Sequence, residues 1–465
     1  MQLTATLNAI NNLLNEAVAD FENHRNINIL CERVRDTLFT IVEAFLVRKI
    51  EKVLHDPAVL RQLKVGAAKK GLGFNGYRST SIRLLTGNPV NLQSPYFAKA
   101  KSKRRPAAGS STRKNGTGCH FGLDYLGFIS RCSTLLGSVV VQAALLCPSF
   151  ELARRTLKSH AIDLNVKTIH RLTMELAAKA LPQRGRVSLT TADRVGGKTV
   201  LVCIDGGRLR ERRTKQGPKP EGRKRQGYHA DWKEPVQFVI QIVDEDGKIC
   251  RKSPPLYDAT LGGLDSAFEL LETYLGELEI ATADRVVFCC DGARSYWKRI
   301  KPLAKKLAIP VFHEVIDHTH AKQNLYGIID KLPILTPAAE KKRITEHWLN
   351  LLWDGKFDDL GNDIEKQVTS PKRRREALAK LESYFNKNQS RMTYAEFRRL
   401  KIPIGSGCVE SAIRRVINLR LKSPGTFWKL ETAESMLFLR NQLLSGRWNV
   451  MMNNVLSHTR SLCCN

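Results

Sequence analysis

The stretch IPIGSGCVESAIRRVINLRLKSPGTFW, from Ile402 to Trp428, decides how the rest of this chain is interpreted. Pro403 and the two glycines around Ser406 predict a tight loop, and a run with helical spacing follows. The apolar positions of that run predict its buried face: Val409, Ile413, Val416, Ile417 and Leu421. Glu410 lies in the first turn of this helix, where the helix dipole and free N–H groups favour a carboxylate. A glutamate at position 410 has two possible reasons: it stabilises the start of the helix, or, if other carboxylates lie close to it, it is part of a metal site.

The composition points to a partner that carries many negative charges. The 465 residues include 75 Lys and Arg against 45 Asp and Glu, a formal net charge of +30. Ribosome-associated and membrane-surface proteins can be this basic, but the charge favours nucleic acid. The sequence contains no evident secretory leader, and its longest apolar run, Leu135 to Cys147, is shorter than the roughly 20 residues of a spanning helix. Eleven scattered cysteines are typical of reduced thiols. We expect a cytoplasmic protein that binds nucleic acid.

The N-terminal part predicts mainly helical DNA-binding domains. Leu30 to Ile50 has an apolar stripe at helical spacing, explained by packing within its own domain or by dimerisation. Arg78 to Phe97 predicts a β-hairpin, and Ala98 to Gly118 is a basic stretch, either a linker or a phosphate contact. Two short helical patterns between Pro148 and Leu181 resemble a helix-turn-helix, although such pairs occur in any α domain. The residues of its second helix that would face DNA are Lys167, Thr168, His170 and Arg171.

From Lys198 the pattern changes to alternating strands and helices, which is typical of a mixed α/β sheet. Apolar, β-rich runs predict four strands, within 198–206, 231–249, 285–291 and 309–317. The third and fourth of these runs are separated by a helical stretch, Ser295 to Leu307. Residues 322–401 are mostly helical and highly charged, which indicates an inserted α region before the loop around Ser406.

Two of the predicted strands end in an aspartate followed by glycine. Asp205 and Asp291 would meet at one edge of the sheet, although a single Asp-Gly pair is usually an ordinary turn. Together with Glu410 they form a set of three carboxylates that suits hard divalent cations. Two Mg²⁺ or Mn²⁺ ions held in this way could activate a water or a 3′-hydroxyl and stabilise the leaving oxygen of an in-line displacement.

A basic segment follows Asp205 directly. Arg208 to Lys233 contains ten Lys or Arg and three acids, so it is either a solvated hairpin tip or a clamp on the DNA backbone. Tyr228 and Trp232 could stack on a terminal base or pack against the protein. The predicted contacts are Arg208, Arg210, Arg212, Arg213, Lys215, Arg223, Lys224 and Arg225. On the helix after Glu410 the corresponding residues are Arg414, Arg415, Arg420 and Lys422.

Four blocks of this sequence resemble the successive motifs of DDE transposases from bacterial insertion sequences, closest to the Kra-type group and its Mutator-like relatives. These blocks are CIDGGR from Cys203, CCDGARSYW from Cys289, DHTHAKQNL from Asp317, and the stretch from Ile402. The resemblance implies an RNase H-like catalytic domain with an α-helical insertion, and Asp205, Asp291 and Glu410 as metal ligands. It also implies a supporting catalytic role for Asp317 and His320. The paired cysteines of a metal knuckle, frequent in such enzymes, are missing around Cys119, His120, Cys132 and Cys147.

These observations predict an α/β protein that acts as a DNA transposase, hydrolysing transposon ends and joining their 3′-hydroxyls to target DNA. An RNase H-like nuclease without joining, or a non-catalytic DNA-binding derivative, remain as alternatives. The expected partners are double-stranded transposon-end and target DNA and at least one further copy of the chain, near the bacterial nucleoid. The expected domains span residues 1–118, 119–190, 198–321 together with 402–450, and the insertion 322–401.

Overall fold

The computed structural model describes residues 11–12, 14–16, 18–19, 21–23, 25–99, 118–218, 221–223 and 226–464. Lys224, Arg225 and most of the basic stretch from Ala98 to Gly118 lie outside these residues. The chain forms two compact units. We call them the N-terminal unit, Met1–Pro182 with Met452–Asn465, and the sheet unit, Gln183–Met451.

The N-terminal unit begins with two helices and a hairpin. Helices α1 and α2 start directly after Asn26 and Asp56, whose side chains accept hydrogen bonds from first-turn N–H groups. Strands β1 and β2 pair antiparallel, which confirms the predicted hairpin. Glu43 is buried on α1 and accepts hydrogen bonds from the Leu85 and Thr86 N–H groups, so this carboxylate fastens the hairpin turn to the helix. The bounds are Ile27–Leu54 (α1), Pro57–Lys69 (α2), Gly73–Ile82 (β1) and Val90–Ala98 (β2).

The predicted helix pair is confirmed. Side chains of Ser149 and Asn165 cap its two helices, α5 and α6, and the helix α4 packs against both. On α6 the face around Leu172 is buried in this small bundle. The bounds are Phe121–Tyr125 (α3), Thr134–Leu146 (α4), Phe150–Ser159 (α5) and Val166–Ala180 (α6).

The sheet unit is built on a mixed five-stranded sheet in the order β7-β6-β3-β8-β9. Strand β6 runs antiparallel to β3 and β7, whereas β8 runs parallel to β3 and β9. The four predicted strands are confirmed. The bounds are Thr199–Gly206 (β3), Leu209–Thr214 (β4), Tyr228–Lys233 (β5), Val236–Val243 (β6), Leu256–Thr260 (β7), Arg285–Cys290 (β8) and Phe312–Ile316 (β9). Strands β4 and β5 form a separate antiparallel hairpin.

Helices follow β7, β8 and β9, and the segment after β9 is helical as predicted. Its core includes Trp348, Phe357, Phe385 and Tyr394, all fully buried. The bounds are Gly263–Glu277 (α7), Arg294–Lys306 (α8), His318–Ile329 (α9), Ala338–Asp354 (α10), Phe357–Gln367 (α11), Pro371–Lys380 (α12) and Tyr394–Arg399 (α13). Within the part of the chain that the structure describes, no helix is both long and apolar enough to cross a bilayer.

The stretch that opened the sequence analysis forms a short helix rather than a long one. Helix α14 spans Gly407–Ile413 and widens into a π-helical turn at Arg414–Asn418. Arg440, buried on the following helix α15, donates hydrogen bonds to the carbonyls of Arg415 and Val416 in that turn. The chain ends with α15, Leu430–Leu444, and α16, Trp448–Cys464. The predicted apolar face of α14 and its turn is buried as expected.

Candidate active site

Asp205 and Asp291 lie at the same edge of the sheet. The parallel register of β3 and β8 pairs Ile204 with Cys290, so the next position places Asp205 beside Asp291. Each carboxylate is half-buried and accepts one backbone hydrogen bond, Asp205 from Gly206 at 2.7 Å and Asp291 from Ala293 at 2.9 Å. The two strand ends therefore bring two carboxylates to one edge.

The electrostatics link Glu410 to this pair. Burial raises the pKa of Asp205, and the negative charges of Asp291 and Glu410 raise it further. The hydrogen bond from the Gly206 N–H and the charge of His320 act in the opposite direction and lower it. Burial and the charges of Asp291 and Asp205 also raise the pKa of the neighbouring Tyr296. This sheet edge is a region of negative potential that a cation would relieve.

Asp317 follows β9 and fixes the loop that precedes the helix of Glu410. Its carboxylate is only 2% exposed and accepts hydrogen bonds from the His320 N–H at 2.8 Å and from the Ser406 N–H and hydroxyl, the latter at 3.0 Å. Burial alone would raise the pKa of Asp317, but the hydrogen bonds from His320 and Ser406 hold it well below its usual range. A further bond from the His318 N–H to the Ile404 carbonyl attaches the same loop to the start of α9.

His320 lies between Asp317 and Glu410. Its Nδ1 is 3.3 Å from Asp317 Oδ1, and its Nε2 is 4.0 Å from Glu410 Oε1. The contact with Asp317 raises the pKa of His320 against the effect of burial, and Glu410 and Asp291 add to that shift. The imidazole therefore favours its charged form more than a free histidine does.

A single compact group of three possible metal ligands occurs among the described residues, and it is Asp317, His320 and Glu410, whose ligand atoms lie within 4.8 Å of one another. The predicted set of Asp205, Asp291 and Glu410 is not such a group. Three hydrogen bonds already use most of the lone pairs of Asp317. These hydrogen bonds hold Asp317 in a position that connects His320 to the loop before Glu410, and its predicted catalytic role stays a prediction.

In the basic hairpin, β4 and β5 with their connection, four of the six predicted cations that the structure describes are exposed. Two of them, Arg210 and Arg212, are half-buried, and their guanidinium groups lie over the rings of Phe427 at 4.7 Å and Tyr228 at 4.5 Å. These stacked positions fix the direction of the side chains. The exposed members are Arg208, Arg213, Lys215 and Arg223.

Two predicted DNA contacts have buried side chains. Thr168 is on the packed face of α6, and Arg420 is 3% exposed with its guanidinium 5.0 Å from the centre of the Trp428 ring. The remaining candidates differ in exposure. Lys167, Arg171, Arg414 and Lys422 are exposed. His170 is half-buried against Phe150, and Arg415 donates a hydrogen bond to the Tyr257 hydroxyl.

Sequence reasoning missed a basic groove that starts one residue after Asp291. A cavity of about 370 Å³ opens beside Gly292 and is lined on one side by α8 and on the other by Lys387 and Arg391. The cations of α8 occur at positions i, i+4 and i+7, a spacing that places them on one helix face. They are Arg294, Lys298 and Lys301. That spacing is visible in the sequence, but without the facing segment it is typical of any solvated helix.

Comparison with known proteins gives little further information. No family model matches the chain. No curated protein matches it either. A solved structure, the "Drosophila P element transposase strand transfer complex", aligns over 68% of this chain and 93% of that chain, with 12% identity and a TM-score of 0.29. A TM-score this low does not establish a shared fold, so the chemistry has to be derived from the residues of this chain.

Proposed function

We propose that this protein is a DNA transposase that cleaves transposon ends and joins their 3′-hydroxyls to target DNA. The observation that carries the proposal is the sheet edge where Asp205 and Asp291 end neighbouring parallel strands and the charge of Glu410 acts on Asp205. Phosphodiester hydrolysis and strand joining are both in-line attacks at phosphorus, so one such site can serve both steps.

The strand arrangement supports an RNase H-like interpretation of the sheet unit. Strands β3, β6 and β7 pair antiparallel as neighbours in the sheet, and β8 and β9 add in parallel on the other side of β3. The helical segment α10 to α13 then separates β9 from the helix that carries Glu410. In the proposed site, this order would bring a third carboxylate from late in the chain to the same edge.

The donor set fits the divalent cation that this chemistry requires. Asp205, Asp291 and Glu410 offer only carboxylate oxygens, and burial with mutual repulsion already raises the pKa of Asp205. These three residues would hold Mg²⁺ or Mn²⁺, two ions per site. When bound, such ions polarise the scissile phosphate and lower the pKa of the attacking water or hydroxyl.

The protein's own residues would orient the DNA and handle charge. His320, whose pKa is raised by its contact with Asp317, would donate a hydrogen bond from Nε2 to a phosphate oxygen. Exposed cations of the basic hairpin and of α8 would contact the phosphate backbone, and Lys167 and Arg171 on α6 would contact the transposon end. Synapsis of two ends would require at least a dimer.

The test uses a supercoiled plasmid that carries the gene of this protein with its native flanking DNA, incubated with the purified chain and Mg²⁺ or Mn²⁺. We expect nicks with 3′-hydroxyls at the flanks and strand-transfer products. Asp205→Asn, Asp291→Asn and Glu410→Gln should each lower both by a factor on the order of 10³ or more.

Asp284→Asn is the matched control, because Asp284 precedes β8 at the end opposite Asp291 and is 62% exposed. Cleavage by the three active-site variants at the rate of this control would refute the proposed site. Cleavage without any strand-transfer product would replace the transposase by a nuclease.

A further inference from the structure

The N-terminal unit contains a polar pocket that the proposed strand chemistry does not use. The cavity measures about 950 Å³ and lies among β1, β2, the turn before α4, and α6. Three arginines from different parts of the unit line it: Arg83, Arg131 and Arg171. His120, Tyr96 and Ser81 complete much of the wall. Of these residues only Arg171 was predicted from the sequence to contact a ligand.

Backbone pairing brings two of the arginines together. The Arg83 N–H donates to the Arg131 carbonyl at 2.9 Å, and the Ser133 N–H donates to the Arg83 carbonyl at 2.8 Å. Ser130 and Arg131 both have left-handed backbones, with φ of 49° and 64°, which non-glycine residues rarely adopt. Glu175 on α6 accepts the Ser130 N–H at 2.8 Å and so holds this turn. Strained turns of this kind are found where a ligand is clamped.

The charges of the pocket are unbalanced in favour of the arginines. Within the described part of the chain, none of the three guanidinium groups forms an ion pair. The two acids of the wall have other partners, Asp124 the ammonium of Lys179 at 3.1 Å and Glu175 the Ser130 N–H. The pocket therefore presents a positive field.

Two buried nitrogens of the wall have no hydrogen-bond partner among the described residues. They are Arg83 Nε and His120 Nδ1. Burial lowers the pKa of His120, and the charges of Arg131 and Arg78 lower it further, as expected of an imidazole inside a positive field. The Arg83 Nε–H is a buried donor without a partner, which costs free energy that an anion in the pocket would recover.

We infer that this pocket binds a phosphate-bearing ligand. Guanidinium groups bind phosphate oxygens through two parallel N–H bonds, and three of them converging on one cavity suit a phosphate better than a carboxylate. The phosphate belongs either to the DNA backbone or to a free nucleotide, and the volume admits both. This site is independent of the carboxylates of the sheet unit, so it stands even if the protein does not cut DNA.

The test is isothermal titration calorimetry of the full chain with three probes: inorganic phosphate, ATP without metal, and a 20-base-pair duplex. The test variant is Arg83→Gln with Arg131→Gln, and Arg171 stays intact because it also belongs to the proposed recognition helix. The matched control, Arg61→Gln with Arg155→Gln, removes the same charge from exposed positions of the same unit. We expect the test variant to bind at least one probe at least tenfold more weakly than the control does.

The pattern across the probes identifies the source of the phosphate. Weaker binding of the duplex alone assigns the pocket to the DNA backbone, whereas weaker binding of phosphate and ATP assigns it to a free ligand. Equal binding by the test and control variants to all three probes would overturn the inference. If the glutamine variant does not fold, Arg83→Lys with Arg131→Lys keeps the charge but loses the paired N–H geometry. This variant should bind the responding probe severalfold more weakly, and unchanged binding would also overturn the inference.

Discussion

Asp317 is the residue on which the geometry of the site depends. Its two oxygens connect the end of β9 to the first turn of α9 and to Ser406, and thereby to the helix of Glu410. Asp317→Asn replaces one acceptor oxygen by an amide donor that faces an N–H group. We expect the free energy of unfolding to fall by about 2–3 kcal/mol, measured by urea denaturation. Asp330→Asn, which alters an exposed aspartate at the end of α9, is the control and should change stability little.

The contact between Asp317 and His320 predicts that the contribution of His320 to stability depends on pH. The pKa of His320 is raised in the folded protein, so its charged form stabilises the fold fully below the unfolded pKa of about 6.5. This stabilisation is lost as the pH rises through the folded pKa. The stability difference between wild type and His320→Gln should therefore shrink between neutral and alkaline pH. Denaturation at several pH values measures it, and a difference that grows with pH would contradict the assignment.

At the residue scale the sequence predicts local signals well and distant partners poorly. Asp205 and Asp291 could be found because each ends an apolar run and precedes a glycine. Asp317 and Ser406 are 89 residues apart in the chain, so no local sequence pattern predicts their contact. Thr168 and Arg420 were predicted as DNA contacts because they are polar residues on basic helices, whereas packing turns both inward.

At the element scale, the π-helical turn after α14 depends on Arg440. This side chain supplies donors to two carbonyls of the turn, and burial together with the nearby Arg420 lowers its pKa. Arg440→Met would leave those carbonyls without these donors but would remove a buried charge. Because unsatisfied carbonyls cost about 1–3 kcal/mol each, we expect a net loss of about 1–3 kcal/mol in urea denaturation. Arg399→Met, at an exposed position, is the control, and an equal loss there would contradict the role of Arg440.

The basic hairpin gives a second prediction for an element. Arg208 and Lys215 are exposed, so each would neutralise a DNA phosphate. The slope of log K against log salt concentration should become shallower by about 2 in the double variant Arg208→Gln, Lys215→Gln. Fluorescence anisotropy with labelled duplex measures it. An unchanged slope, or the same change in the control Lys342→Gln, Lys366→Gln, would assign the hairpin to another role.

Helices and strands could be predicted from the sequence where their apolar pattern was long or was bounded by turn residues. Strand β7 was missed because all five of its residues are buried, so it has no alternation of exposure and no apolar run long enough to stand out. Its Asp258 is fully buried and binds Arg184 through both carboxylate oxygens, at 2.8 Å each. An aspartate within an apolar run is typical of a turn, because buried aspartates are rare unless they are paired with a cation. The cation that pairs with Asp258 lies 74 residues away in the chain, so the local sequence does not reveal it.

At the scale of the whole molecule, the net charge of +30 and the acidic sheet edge have opposite effects on DNA. Most of the surface attracts phosphates, whereas Asp205, Asp291 and Glu410 repel them unless a cation is bound. A protein organised in this way separates two functions within one chain. In the proposed transposase, the cations would set the affinity for DNA, and the carboxylates would set the rate of strand cleavage.

This separation predicts that aspartate variants of the sheet unit and arginine variants of the N-terminal unit change DNA binding and cleavage in opposite ways. Without divalent metal, Asp205→Asn and Asp291→Asn should each bind duplex DNA more tightly than wild type, by up to about fivefold, because a charge that repels phosphate is removed. The same variants should lose cleavage when Mg²⁺ is added. If the arginine pocket takes the DNA backbone, Arg83→Gln with Arg131→Gln should weaken DNA binding but cleave normally once the DNA is saturating. Anisotropy without metal and plasmid cleavage with metal measure the two properties, with Asp284→Asn as the control. Parallel losses of binding and cleavage in the aspartate variants would mean that these residues stabilise the fold rather than hold a metal.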